Sequence, residues 1–363
     1  MTVAVVAARR TPIGTAGHGL AALTAADLAA AVLPPLLVDA GLTAQDVTEV
    51  VLGNCTGPGG DLARVAALQA GLGVTVPGLT VDRQCGSGLA ALVVGAALVE
   101  DGRAVLAGGV ESASTSTRPG RAPFAPAGLG DPEMGEAADL VAAAAGISRE
   151  RQDAYALRSH RRAVAAADDG RFAAELVPVG GLSRDERPRP GMTGERLARM
   201  RPIFSAGGTA TAGTSCGIND GAAVVALVTE ADRVRRGLPG LRLLASATVG
   251  ISPRTPGLGL VPAARAALDR AGVGLDDIAV IELNEAFAGQ VLACCDALAL
   301  APERVCLEGG AIALGHPWGA SGAVLAVRLF TQLVRAGRVG ALGLAAIAVG
   351  GGQGVAIVVE SCR

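Results

Sequence analysis

One order of residues occurs twice in this chain. Ser87-Gly88 opens an apolar stretch that ends at Glu100-Asp101-Gly102-Arg103 and leads into an apolar run closed by Gly108-Gly109. Far downstream, Ser321-Gly322 opens a similar stretch, ends at Arg335-Ala336-Gly337-Arg338, and leads to apolar runs around Gly350-Gly351-Gly352. The spacing agrees to one residue: 15 from Ser87 to Gly102 and 16 from Ser321 to Gly337. A repeated helix-then-strand signal of this length implies a duplicated α/β unit, so two similar halves must pack their sheets and helices together. The 363 residues suffice for two or three folding units. Gly numbers 52 and aromatic residues only seven (five Phe, one Tyr, one Trp), so the core is built on Ala, Val and Leu with closely approaching backbones.

Along the chain, Val3 to Ala8 reads as a buried strand. Ala25 to Ala40 reads as a helix after the cap Thr24, kinked at Pro34-Pro35. Val50 to Leu52 marks a second strand, Arg64 to Leu72 a helix, and Leu79 to Val81 a further apolar run. Short apolar runs alternating with helices predict a mostly parallel sheet covered on both faces. Between the halves the composition changes. Ser114 to Gly130 is rich in Pro, Gly and small residues, and Arg149 to Arg201 is dense in Arg, with Pro188, Pro190 and Gly191. This predicts an inserted, solvent-facing region containing a helix over Arg149 to Asp168, able to meet a phosphorylated ligand. The expected division is residues 1–115 with 219–240 as the first half, 116–218 as the insertion and 241–363 as the second half.

Several chemistries are excluded. All 31 basic residues are Arg, so there is no lysine for a Schiff base, a phosphate loop or a general base. A net charge of −2 does not suggest a nucleic-acid partner. The seven cysteines, Cys55, Cys85, Cys216, Cys294, Cys295, Cys306 and Cys362, show no Cys-x-x-Cys spacing, which argues against a zinc cage or disulfide framework. The first ten residues have too short an apolar run for a signal peptide, so a reduced, cytoplasmic protein is expected. Ala341 to Val359 carries only Gln353 as a polar side chain. Its Gly350-Gly351-Gly352-Gln353-Gly354 break predicts two buried strands around a turn rather than a membrane span, and no membrane partner.

Three residues stand out chemically. Cys85, in Asp82-Arg83-Gln84-Cys85-Gly86-Ser87-Gly88, precedes an apolar helix, where the helix dipole and free N–H groups favour thiolate and the glycines admit a substrate. His316, in Gly315-His316-Pro317-Trp318-Gly319-Ala320-Ser321-Gly322, is a general-base candidate; the other histidines, His18 and His160, sit in a polar loop and on a charged helix. Pseudo-symmetry between the halves would bring the two helix starts, and so Cys85 and His316, together. Asn284, after the strand Val280 to Leu283, can hold a water or donate to an oxyanion, or merely cap a helix.

These motifs resemble those of the thiolase family, the coenzyme A-dependent acyltransferases that make or cleave 3-oxoacyl thioesters. The similarity covers Arg10-Thr11-Pro12-Ile13-Gly14, Cys85 to Gly88, Gly108-Gly109-Val110-Glu111-Ser112, Arg189-Pro190-Gly191, Arg201-Pro202-Ile203-Phe204, Thr211-Ala212-Gly213, Asn219-Asp220-Gly221, Asn284-Glu285-Ala286-Phe287-Ala288, Gly309 to Gly322 and Gly350-Gly351-Gly352. The resemblance implies a thiolase-like α/β fold, with two duplicated halves in five αβαβα layers and an inserted loop domain. It implies two stages: Cys85, deprotonated by His316, is acylated by a thioester, and a second coenzyme A thioester, deprotonated at Cα, attacks the acyl group, or the reverse in degradation. Asn284 would hold a water that joins His316 in one oxyanion hole, and the N–H groups of Cys85 and Gly350 would form the other. Coenzyme A, a substrate rather than a permanently bound cofactor, would meet Arg189, Phe204, Ala212, Cys216, Met134 and Phe287. A homodimer is expected, since the Ser114 to Gly130 segment looks too short to pair dimers into tetramers.

The chain departs from the family's pattern in places. Two residues before Gly350 the family has a cysteine, the acid/base for the Cα proton; here the residue is Ala348. A serine of the coenzyme-binding turn is Cys216, and Glu133 stands before Met134 where histidine is common. Three accounts of Ala348 follow: an acceptor that needs no carbon deprotonation, a replacement base such as Glu308, or an engineered change. A reading of another class is a non-catalytic acyl-CoA-binding or scaffold subunit.

Overall fold

The computed structural model describes residues 2–117 and 120–363, so positions 118 and 119 of the Ser114 to Gly130 segment lie outside the described residues. The chain runs through β1 (Val3–Arg10), β2 (Gly14–Thr15), α1 (Ala25–Ala40), β3 (Val47–Gly53), α2 (Leu62–Gln69), β4 (Gly78–Val81), α3 (Ser87–Leu98) and β5 (Ala104–Ser112). It leaves the sheet for α4 (Met134–Ala144), α5 (Arg149–Asp168) and α6 (Gly194–Ala198), and returns in β6 (Asn219–Thr229) and α7 (Glu230–Arg236). The rest is β7 (Gly240–Gly250), α8 (Leu260–Ala271), β8 (Ile278–Leu283), α9 (Ala288–Ala297), α10 (Ala311–Leu314), α11 (Trp318–Phe330), β9 (Leu342–Val349) and β10 (Gln353–Cys362).

The strands lie in the order β4-β3-β5-β6-β1-β7-β10-β9-β8, with β2 beside β6. The two sides of the β1–β7 junction are the same design. In the first half β3 is parallel to β5, and β5, β6 and β1 are antiparallel neighbours. In the second, β8 is parallel to β9, and β9, β10 and β7 are antiparallel neighbours. Even an irregularity recurs: the β3–β5 register shifts between Val47 and Glu49, and the β8–β9 register between Ile278 and Val280. Among the described residues, Ala4↔Arg242 and Val5↔Leu241 join the halves across β1 and β7.

Duplication also reaches a stretch that the Ser-Gly echo does not include. Helices α1 and α8 both end on a left-handed glycine, Gly41 at φ 61° and Gly272 at φ 69°. Each is followed by a short 3-10 turn whose last aspartate, Asp46 or Asp277, accepts the N–H of the residue three before it, Thr43 at 2.8 Å or Gly274 at 2.7 Å. Asn54 and Asn284 then directly follow the equivalent strands β3 and β8.

Alternation along the strands builds the layers. Val225 and Leu227 of β6 and Ala345 and Ile347 of β9 face a central core with α3 and α11. Their neighbours Val224, Ala226 and Val228 face α1 and α2, whereas Leu344 and Ala346 face α8 and α9. The result is five layers, αβαβα, with α11 buried at every residue from Gly319 to Phe330. A helix apolar over nearly all of its surface belongs in such a middle layer, with the charge of Arg328 paired to Glu175 and Glu308.

The central helices cross on the echoed glycines. A Cβ built on Gly88 would lie 2.8 Å from both the Ala323 nitrogen and the Gly319 oxygen, and one on Gly322 would overlap the Leu89 nitrogen. Each glycine thus meets the residue that follows its counterpart. No larger residue permits this approach, which places the starts of α3 and α11 side by side.

Helix α1 carries Pro34 and Pro35 within one helical run, with Leu33, Leu36 and Leu37 buried. Some expectations need correction. The sheet is mostly antiparallel rather than mostly parallel: β3–β4, β3–β5 and β8–β9 are parallel, and the other neighbours are antiparallel because β6 and β10 run back beside β5 and β9, and β1 and β7 run against them in turn. Helix α5 spans the expected residues but does not simply face solvent. Tyr155, Ala156, Ser159, His160 and Ala163 are buried, and its arginines grip the second half, Arg151 at Asp296 and Arg162 at the Val305 carbonyl. The apolar stretch 341–359 forms β9 and β10 around the glycine turn, and no helix among the described residues is long and apolar enough to cross a membrane.

Candidate active site

Cys85 sits in a strained turn between β4 and α3. The preceding Gln84 has φ 46°, a left-handed conformation that costs a non-glycine residue on the order of 1 kcal/mol or more. The turn is fixed from several sides: Asp82 accepts the Gln84 N–H at 2.8 Å, Ser87 Oγ donates to the Gln84 carbonyl at 2.6 Å and accepts the Arg83 N–H at 2.7 Å, and Cys55 Sγ donates to the same carbonyl at 2.9 Å. A Cβ on Gly86 would lie 2.6 Å from a Val349 methyl, so the turn abuts the strand that leads into Gly350. Gly351 and Gly352 follow at φ 81° and 80°, which lets β9 reverse into β10 immediately.

The Cys85 thiol is pushed up to about 12 by burial and by the nearby Cys216, against the opposing N–H groups of Cys85 itself and of Gly350. A helix start by itself favours thiolate. Burial outweighs the helix end, so the resting group is a thiol that needs a base.

His316 is 2% exposed and provides that type of base. Its Nδ1 lies 2.6 Å from Ser321 Oγ, whose own proton goes to the Pro317 carbonyl at 2.8 Å. Ser321 therefore accepts from Nδ1–H, and Nε2 carries the free lone pair. That Nε2 is buried and without a partner among the described residues. Burial lowers the ring to about 4, so it is neutral at neutral pH. The His316 backbone N–H donates to Asn219 Oδ1 at 2.9 Å.

Asn284 follows β8 and is 3% exposed; its N–H donates to the Ala346 carbonyl at 3.0 Å. It caps no helix, because α9 starts after Phe287. Glu285 fixes the surrounding loop by accepting from Tyr155 Oη (2.9 Å), Ser159 Oγ (2.7 Å) and the Ile312 N–H (3.2 Å). One carboxylate thereby ties the Asn284 loop, α5 and the approach to His316 together.

The residues expected around coenzyme A separate into two groups. Met134 begins α4, beside Gly135, whose missing side chain makes room for the Phe204 ring; Phe204 meets Phe287 edge-on with centroids 5.6 Å apart. Cys216 joins them, since its N–H donates to the Ala286 carbonyl at 2.9 Å and Ser215 bridges to Phe287. Ala212 and Arg189 lie on the exposed side, and Arg189 has no ion-pair partner among the described residues. Glu308, a possible replacement base, is bound by Arg328 and Arg171 instead.

The supporting roles of Ser321, Glu285 and Asn219 are not legible in the sequence: all three lie inside motifs named above, but nothing linear shows which atom a buried hydroxyl, carboxylate or amide meets. The Thiolase N-terminal domain pattern matches residues 3–231, and the Thiolase C-terminal domain pattern matches residues 239–361.

The chain belongs to the thiolase family.

This thiolase is 42% identical over 387 residues to the acetyl-CoA acetyltransferase of Pseudomonas aeruginosa, covering 98% of each chain. It is 43% identical over 367 residues to a putative acetyl-CoA C-acetyltransferase, YhfS, of Bacillus subtilis, covering 99% of each. The crystal structure of the Bacillus anthracis acetyl-CoA acetyltransferase superposes with a TM-score of 0.91 at 36% identity, over 99% of this chain and 98% of that one. The thiolase is an acyltransferase of this type.

Proposed function

We propose that this thiolase forms an acyl-Cys85 intermediate from acyl-CoA and exchanges it in 3-oxoacyl-CoA condensation or thiolysis. His316 Nε2 takes the thiol proton, Cys85 attacks the thioester carbonyl, and the departing coenzyme A thiolate recovers the proton. The N–H groups of Cys85 and Gly350 stabilise the oxyanion, and Asn284, through a water, serves with His316 in the second stage. The observation carrying this reading is the His316–Ser321–Pro317 relay, which fixes the tautomer a base requires.

Phe204, Phe287, Met134 and Cys216 would line the path of the pantetheine arm, with Ala212 beside it and Arg189 free to meet the nucleotide phosphates. In this reading coenzyme A enters as substrate. Residues 116–218 form the inserted coenzyme-binding region between halves made of 1–115 with 219–240 and of 241–363; the supporting observation is that equivalent strands are joined by the excursion from β5 to β6 and by a glycine turn from β9 to β10. The protein assembles as a homodimer, for which β4 supports a place: it ends the sheet, with Leu79 38% exposed.

Ala348 favours a second reading, transfer of the acyl group to an acceptor other than carbon, because a methyl group cannot exchange a Cα proton. Intact-mass measurement after mixing with acetyl-CoA and longer acyl-CoAs tests the acyl-enzyme. The expected result is an acyl mass on Cys85 that disappears in Cys85→Ala; an adduct surviving that substitution rejects the nucleophile assignment. Thiol labelling no faster at Cys85 than at Cys294 or Cys295 would favour a scaffold.

A further inference from the structure

Cleaving a 3-oxoacyl thioester requires an acid for the departing Cα carbanion, and condensation requires the same group as a base. Ala348 cannot serve. Most acids around the site are already committed. Glu111 accepts from the Asn54 side chain, the Cys55, Thr56 and Gly319 N–H groups and the Thr56 hydroxyl. Glu285 holds its three donors, Glu308 is held by Arg328, and Glu282 accepts from Gln332. The Cys55 thiol is buried and donates to the Gln84 carbonyl.

Cys216 differs from all of these. Cys216 is half-buried as a residue, and its thiol donates no hydrogen bond among the described residues. Its segment runs between two walls of the site: Ser215 and the Cys216 N–H pair with the loop after Asn284, and Asn219 Oδ1 holds the His316 N–H. Arg187 flanks it. The Arg187 guanidinium packs against Gly217, reaches only the carbonyls of Ser215 and Ile312 at 3.4 Å, has a buried Nε with no partner, and pairs with no carboxylate among the described residues.

We infer that Cys216, supported by Arg187, is the acid/base thiol for the Cα proton in this thiolase. The inference rests on the acyl-Cys85 reading above. In thiolysis, His316 takes the Cys85 proton, Cys85 sulfur bonds to the 3-oxo carbonyl carbon, and the Cα–Cβ bond breaks as Cα takes the Cys216 proton. The Cys216 thiolate, facing the Arg187 charge, then takes the proton of incoming coenzyme A. The coenzyme A sulfur attacks the acyl group, and Cys85 leaves and recovers its proton from His316. Every proton and electron pair returns to its starting group.

Two electrostatic relationships agree with this placement. After burial, Cys216 is the strongest influence raising the Cys85 thiol. Cys216 itself is held up at about 12 by burial, against the opposing charge of Arg187. It is therefore a thiol at rest, the form needed to give a proton to a carbanion.

The test separates the half-reactions with acetyl-CoA for Cys85 acylation and acetoacetyl-CoA plus coenzyme A for thiolysis. Cys216→Ser keeps a small polar side chain, and should lower thiolysis about 10²–10⁴-fold while acylation falls far less. Adding Ala348→Cys to that variant should restore thiolysis at least tenfold. Arg187→Gln should move the alkaline limb of thiolysis to higher pH, because the thiolate loses its counter-charge. The inference is overturned if Cys216→Ser lowers both half-reactions equally or neither, if Cys55→Ala rather than Cys216→Ser gives the selective loss, or if the unaltered enzyme acylates Cys85 yet performs no thiolysis. Failure of the unaltered enzyme to acylate Cys85 would instead remove the underlying reading, and this inference with it.

Discussion

Ser321 Oγ lies 2.6 Å from His316 Nδ1 and donates its own hydrogen bond to the Pro317 carbonyl at 2.8 Å. The hydroxyl is thereby an obligate acceptor for the ring, and the basic nitrogen is left at Nε2. Ser321→Ala should remove this tautomer preference and slow acylation by about tenfold to a hundredfold, less than the ~10²–10⁴-fold expected for His316→Ala. Single-turnover acylation of Cys85 measures both. Equal rates for Ser321→Ala and the unaltered enzyme would show that the relay does not govern the base.

Buried histidines should make stability depend on pH. Burial lowers both His316 and His160 from the usual 6.5 to about 4, with Arg187 and Arg189 adding to the effect at His160. Between these values the unfolded chain binds more protons than the folded one. Stability therefore rises with pH across this window, and is lost as pH falls from about 6.5 toward 4. Chemical denaturation at pH 7 and pH 5 should show the loss, and His160→Gln should make it smaller. An unchanged difference between the two pH values in that variant would remove His160 from the account.

Gly322 should not tolerate even one methyl group. A Cβ there meets the backbone of Leu89 on α3, which has no side-chain freedom with which to yield. Gly322→Ala should cost about 1–3 kcal/mol and slow Cys85 acylation, because the same crossing locates the nucleophile and the base. Thermal unfolding and acylation rates would both move; a Tm within a degree of the parent would contradict the packing argument.

The open edge at β4 gives the assembly prediction. Light scattering should show a dimer at micromolar concentration, and Leu79→Asp should shift it toward monomer by placing a charge on each copy of the edge. A stable tetramer would contradict the expectation drawn from the short Ser114 to Gly130 segment. A dimer indifferent to Leu79→Asp would move the interface away from this edge.

The sequence by itself determined the duplication, the strands that flank the Gly350 turn, the position of Cys85 before α3 and the family to which these motifs belong. Such features are local: a repeated Ser-Gly helix start, a glycine break between apolar runs and a nucleophile between glycines are all set by a few neighbouring residues. Tertiary structure decided what those residues meet. Arg-rich α5 looked like a solvated helix, yet its arginines find Asp296 and backbone carbonyls of the second half, and its inner face buries His160. The Cys85 helix start favoured thiolate, yet desolvation by the layers that enclose it keeps the proton on. Glu308 is as available in the sequence as Cys216, but folding gives it to Arg328 and sets Cys216 beside an arginine that pairs with no carboxylate among the described residues. Burial, charge pairing and hydrogen-bond direction depend on groups distant in the chain, so they are fixed only when the two halves close around α3 and α11.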